Sequence, residues 1–440
     1  MASWVEGLNM FLQHPQTISG KHSVIRPGVW RLSAAGCSFV LSTGAAVLIA
    51  RTLGPSDFGI YMFVLWLATV AVPVVGVGMS MMTSRHMAEI QGREEPRLVA
   101  GIFYFVWKRQ YRRILLYCLL YLLLAFPLSW VFGASAPVLL LFLAGLTALP
   151  LLLSGVAGIT LRSLRRFDLL AIINLFGAVT SLFLILIAIQ LQGDQVGIFL
   201  LASAIAGTLT LVAALLCIMR LQPMRQAMKP GTLLLDRLTR GLNNSLLLFT
   251  LDVIVWQRSE MLLLAHGHSS AELGFYALSS AISARVIDIS PALLSTCVLP
   301  LLLRYAPGQR YTSASDAFVK TSLFVACLAI PLCIGTILFC PTVISYCFGD
   351  AYLPMVTPLR ILLISAAFGS VATVSLTHLA DGDRKRAQIR LGTGAALLNI
   401  VLALPCIAIW GTTGAALASA AAQIVSATGS ILICRKLIFG

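Results

Sequence analysis

Long apolar runs separated by short polar breaks fill this chain from about residue 30 to residue 434. A helix needs about 20 apolar residues to cross ~30 Å of hydrocarbon. In lipid every backbone N–H and C=O must bond internally, so each run is expected to be a helix. The runs lack the strict two-residue alternation of an outer-membrane barrel strand. Spans are predicted near 30–53, 59–82, 114–133, 136–160, 169–191, 195–219, 243–265, 273–302, 319–348, 357–380, 388–410 and 413–434. Pro331 and Pro341 interrupt the ninth, which reads either as one kinked helix or as a span followed by a short interfacial turn. The fold class is thus an all-α polytopic membrane protein with about 12 transmembrane helices.

Charge tests that count. Lys and Arg concentrate in the cytoplasmic loops of a membrane protein. With the N-terminus placed inside, 27 of the 31 basic residues fall in the termini and the even-numbered loops. Arg51 and Arg360 fall outside, and Arg258 and Arg285 lie within spans. One helix missed or added would scramble this asymmetry from that point onward. Both termini are therefore expected in the cytoplasm. Residues 1–28 lack an apolar signal-peptide core, so the first span is expected to act as the insertion signal.

The polar breaks also show a repeat. Phe58-Gly59-Ile60-Tyr61 before the second span resembles Leu273-Gly274-Phe275-Tyr276 before the eighth. Val196-Gly197 and Thr413-Gly414 stand before the sixth and twelfth at nearly the same offset. Two halves of six spans insert with one orientation, which predicts two pseudo-symmetric six-helix lobes with a site between them near the midplane. The division is 1–28 N-terminal segment, 29–219 N-lobe, 220–242 cytoplasmic linker and 243–440 C-lobe.

Composition narrows the classes. Only 11% of residues are charged, and 59% are hydrophobic; a soluble domain carries about 25% charged residues. The net charge of +15 sits in short loops, so it reads as an orientation signal and not as a nucleic-acid surface. The ten cysteines lie mostly in spans without metal spacing and read as small buried apolar residues. His266-Gly267-His268 has no further ligands nearby and reads as a polar loop, so no metal is assigned. No Walker motif occurs. The outer loops are under ten residues, too short for the catalytic loop of a membrane polymerase or ligase. The chain is expected to be no enzyme.

Charges within spans are costly and mark function by default. Five stand out: Asp252, Arg258 and Glu260 in the seventh span, and Arg285 and Asp288 in the eighth. At ~1.5 Å per residue, Asp252, Arg285 and Asp288 lie about 18–22 Å from the outer face, near the midplane. Arg285 suits an anionic substrate group, because guanidinium binds phosphate bidentately. Asp252 and Asp288 would hold Arg285 when substrate is absent, or bind a coupling H⁺ or Na⁺. The competing reading is a buried ion pair that locks two helices. Arg258 and Glu260 lie only ~8–11 Å deep and are expected to snorkel to water.

A resemblance carries the reading further. Ala50-Arg51-Thr52-Leu53-Gly54-Pro55-Ser56-Asp57-Phe58-Gly59-Ile60-Tyr61 resembles the A-R-x-L-G-P-x-x-F-G-x-Y signature of bacterial polysaccharide transporters. These Wzx-type flippases share a superfamily with MATE drug antiporters. Glu260-Met261-Leu262-Leu263-Leu264 and Glu272 to Ala277 look like the family's D-x-x-L-L-G … G-x-Y-x-x-A segment, with Glu260 in place of Asp and Ala265 in place of Gly. Phe348 to Tyr352, Pro358 to Leu362 and Gly411 to Ala416 extend the likeness. The resemblance implies flipping of undecaprenyl-pyrophosphate-linked oligosaccharide (an O-antigen, lipopolysaccharide, capsule or exopolysaccharide unit) across the bacterial inner membrane by alternating access. It implies Arg285, then Arg258, as cavity cations toward the pyrophosphate. Asp252, Asp288 and Glu260 stand as charge-pair or coupling groups, with H⁺ or Na⁺ coupling and no other cofactor. Expected partners are the lipid-linked oligosaccharide, membrane lipids and polysaccharide polymerase machinery. The competing function is a cation-coupled MATE-type drug antiporter, which favours an acidic, aromatic cavity.

Overall fold

Apolar segments of this length have one way to satisfy their backbones in lipid, and the computed structural model is helical throughout its described residues. These are 25–70, 96–133, 137–163, 166–191, 195–221, 260–293, 314–379 and 385–439. The helices are α1 (Ile25–Thr69), α2 (Pro96–Phe132), α3 (Val138–Ser163), α4 (Phe167–Gln190) and α5 (Gln195–Leu221), then α6 (Met261–Gly267), α7 (Ser270–Leu293), α8 (Ala314–Phe348), α9 (Val356–Leu379) and α10 (Lys385–Phe439). Among the described residues, 8 helices are long and apolar enough to cross a membrane.

Two of these are hairpins. α1 breaks at Gly54 (φ 70°, ψ 173°) and α10 at Gly411 (φ 54°, ψ −125°). A positive φ is cheap only for glycine. Pro55 then starts the second arm of α1, where its missing N–H costs nothing. The outer loop expected over 54–58 is therefore a break of one residue. The second arm of α1 runs antiparallel to α2. Along the second arm, Phe63 packs on Phe132 at the end of α2, and further on Leu67 and Ala68 accept from Tyr117 Oη, a whole helix segment earlier on α2.

The ninth predicted span is one helix. α8 passes through both Pro331 and Pro341 and is followed by a 3₁₀ turn, Asp350–Met355. Pro341 lacks an N–H, so the Ile337 carbonyl loses its helical partner. Arg360 fills the gap, its Nε donating to Ile337 O at 3.3 Å.

The first-half helices pack on one another around α1, α3 and α5, and the second-half helices around α7, α9 and α10. The halves meet mainly where α1 crosses α7. Trp130, Tyr346 and Trp410 are exposed near the C-terminal ends of α2, α8 and the first arm of α10, a placement that suits an interfacial aromatic belt.

Candidate functional site

The C-lobe buries a carboxylate. Glu260 caps the start of α6 and is only 2% exposed. Its depth from the outer face suggested that it would snorkel. The structure corrects this, because the side chain turns inward against α7 and α10. Tyr276 Oη donates to Glu260 Oε2 at 2.7 Å. Asn399 and Ser419, one from each arm of α10, face the same carboxylate. Glu260 Oε1 has no hydrogen-bond partner among the described residues.

Neutral polar groups extend the cluster. Gln423 Nε2 donates to Ser419 Oγ at 3.1 Å, and its Oε1 accepts from Ser365 Oγ at 2.7 Å. A cavity of about 20 Å³ adjoins it, lined by Tyr276, Ser280, Ser283, Leu362, Ser419 and Gln423. That is room for a single water. One carboxylate among phenol, amide and hydroxyl oxygens can hold a proton or a monovalent cation. A dication would need more negative charge in so dry a place.

Arg285 lies elsewhere. It is exposed on α7 and faces the N-lobe, its guanidinium 6.0 Å from the centre of the Phe39 ring on the first arm of α1. That spacing marks a cation–π contact across the cleft between halves. Among the described residues no carboxylate pairs with it. Asp252 and Arg258 lie outside the described residues, as does the side chain of Asp288.

The signature loop joins the two halves at the Gly54 end of α1. Tyr352 Oη donates to Ala50 O at 2.6 Å, tying the turn after α8 to the first arm of α1. Arg51 donates to the Tyr346 carbonyl at the end of α8. Phe58, Phe275 and Phe348 pack around the Tyr352 ring. Gly59 lies buried against α7, and Tyr61 Oη shares a 3.3 Å hydrogen bond with Ser203.

Tyr276, Asn399, Ser419 and Gln423 escaped the reading of the sequence, which searched the spans for charge alone. The signal was there: an Asn and a Gln inside the two most C-terminal apolar runs.

The family model described as "Polysaccharide biosynthesis protein" matches residues 48–357. No curated protein sequence matches the chain. Among solved structures, the lipid II flippase MurJ in an inward closed conformation is similar at TM-score 0.67 and 16% identity, over 92% of this chain and 87% of that one. A MATE-family multidrug resistance transporter of the MOP superfamily, inward-facing, is similar at TM-score 0.68 and 15% identity, over 91% and 94%. A point mutant of the Vibrio cholerae MATE transporter VcmN is similar at TM-score 0.61 and 16% identity, over 93% and 98%. The fold is thus that of MOP-superfamily transporters.

Proposed function

We propose, from the premise that this chain belongs to the polysaccharide biosynthesis protein family, that it flips a lipid-linked oligosaccharide across the bacterial inner membrane. The observation that carries the reading is Arg285. An exposed guanidinium, free of any described carboxylate and facing the other lobe, suits a diphosphate headgroup. A drug antiporter for cationic substrates would place an acid or a bare aromatic cage at this level. Here a cation already occupies the Phe39 ring.

In this mechanism the headgroup enters the cleft from the cytoplasmic leaflet and is held by Arg285. The lobes rock, the cleft opens outward and the lipid leaves in the outer leaflet. Glu260 is the coupling group, taking up H⁺ or Na⁺ among Tyr276, Asn399 and Ser419. The remaining parts of the reading are both termini in the cytoplasm and the nearby polymerase as the consumer of the flipped unit.

The test is Arg285→Ala expressed at wild-type level in the membrane of a strain lacking the native protein. Loss of surface glycan, with partial rescue by Arg285→Lys, is expected. Normal display by the alanine variant would sink the headgroup role.

A further inference from the structure

We infer that the two copies of the repeated Gly-x-Tyr segment close on each other as the outer gate, and that Glu260 governs this gate through Tyr276. The inference rests on the reading of the chain as an alternating-access flippase.

The gate follows from the repeat. Phe58 to Tyr61 and Leu273 to Tyr276 are equivalent at an offset of 215 residues. Equivalent residues meet only at a symmetry axis, and these do. A methyl group added to Gly59 would overlap the Ser270 carbonyl and approach Gly274 N to 2.9 Å. A methyl added to Gly274 would overlap the Pro55 carbonyl and approach Gly59 N to 3.2 Å. Pro55 and Ser270 are themselves equivalent at the same offset. The pseudo-twofold axis therefore passes between these glycines at the outer end of the cleft. The two backbones touch there, so no glycan passes while they do.

The control follows from where the symmetry breaks. Each glycine is followed two residues later by a buried tyrosine whose hydroxyl anchors it inside its own lobe. In the N-lobe, Tyr61 meets Ser203. In the C-lobe, Tyr276 meets Glu260, sixteen residues before it, with Ser419 close by. The residue sixteen before Tyr61 is Ala45, 4% exposed. The lobes thus share the gate glycine, the tyrosine and a serine, and the C-lobe adds a carboxylate with Asn399 beside it, where the N-lobe has Ala45 and Leu184. No other charged group among the described residues acts on Glu260; the facing groups are Tyr276 from α7 and the neutral Asn399 and Ser419 from α10. His268 and Glu272, nearer the outer surface, pair with each other at 3.3 Å.

A hydrogen bond to an ionised carboxylate is about twice as strong as one to a neutral acceptor. Loading Glu260 with a proton or a cation therefore slackens the hold on Tyr276. Because Gly274 lies two residues from Tyr276 on one helix, a shift of the tyrosine moves the gate glycine with it. Only one half of the gate responds, since Tyr61 has no chargeable anchor.

The experiment reads the gate without any glycan. Spin labels are carried on p-acetylphenylalanine at the exposed positions Asp57 and Ser269, which leaves the native cysteines in place. Interspin distances are measured in proteoliposomes while pH and Na⁺ are varied separately. The wild type is expected to lengthen its distance with acid or with Na⁺. Gly59→Ala and Gly274→Ala are each expected to lose the short distance, equally, because symmetry makes them twins. Tyr276→Phe is expected to lose the response to acid or Na⁺. Three results would overturn the inference: a wild type that responds to neither, a Tyr276→Phe variant that responds like the wild type, or alanine twins that keep the short distance. Failure of the headgroup role would appear instead as an indifferent Arg285→Ala in cells, with these distances unaffected.

Discussion

Removing one oxygen should open the outer end of this protein. Tyr352 Oη donates to Ala50 O at 2.6 Å, and Tyr352 is 1% exposed. The bond joins the C-lobe's 3₁₀ turn to the first arm of α1 in the N-lobe, so it exists only while the outer ends are together. Tyr352→Phe keeps the ring, with Phe58, Phe275 and Phe348 still around it, and removes the hydrogen bond to the Ala50 carbonyl. Such a hydrogen bond is worth about 0.5–1.5 kcal/mol net. The bond breaks when the gate opens, so the whole loss falls on the closed form, and the open-to-closed ratio rises about 2- to 13-fold. Tyr121→Phe is the control. Tyr121 Oη donates to Leu141 O at 3.2 Å, equally buried but wholly inside the N-lobe. Both variants should melt earlier in detergent, and only Tyr352→Phe should lengthen the distance between labels at positions 57 and 269. Equal lengthening by both, or none by Tyr352→Phe, would refute the assignment of this bond to the closed state.

Three further outcomes are expected. Arg360→Leu should destabilise the protein by about 1 kcal/mol, because it leaves the Ile337 carbonyl only the weak Cys340 Sγ donor at 3.4 Å, and by close to nothing when Pro341→Ala restores a backbone donor; thermal melts of the double-mutant cycle measure the difference. Gly414→Ala should cost far more stability than Gly44→Ala. The first methyl would overlap the Cys406 carbonyl across the α10 hairpin, whereas the second meets nothing within 4 Å and should stabilise α1 by up to about 1 kcal/mol. Glu260→Gln should fold and hold the longer gate distance at every pH and Na⁺ level while losing ion-driven glycan display, because the amide offers Tyr276 only a neutral acceptor and cannot carry charge. Ion-dependent display by that variant at the wild-type rate would remove Glu260 from coupling.

The sequence read the membrane architecture well where one-dimensional signals suffice. Apolar length located the described helices, the predicted breaks between spans fell at Gly54 and Gly411 where both tight turns lie, and the Gly-x-Tyr repeat located the pair of backbones that later proved to touch. It failed where rotation matters. Glu260 was judged by depth alone, and depth does not say whether a side chain turns to water or to the core. Asn399 and Ser419 were invisible for a related reason. A neutral polar residue hardly changes the hydropathy of an apolar run, and these two lie far along the chain from the carboxylate they face. The outer arginines gave a third lesson. Arg51 and Arg360 looked like exceptions to the charge rule, yet both donate to carbonyls of α8, near its end or at its proline kink.

The alanine at position 45 also sets a limit on work. A duplicated transporter with a carboxylate in each half could move two charges per cycle. With Glu260 as the proposed coupling group and Ala45 at the equivalent position, at most one charge per cycle would pass through these sites. One charge falling through 100 mV yields about 2.3 kcal/mol, enough to hold a gradient of roughly 50-fold in the flipped lipid. Any steeper accumulation in the outer leaflet must be drawn off downstream, by whatever consumes the glycan.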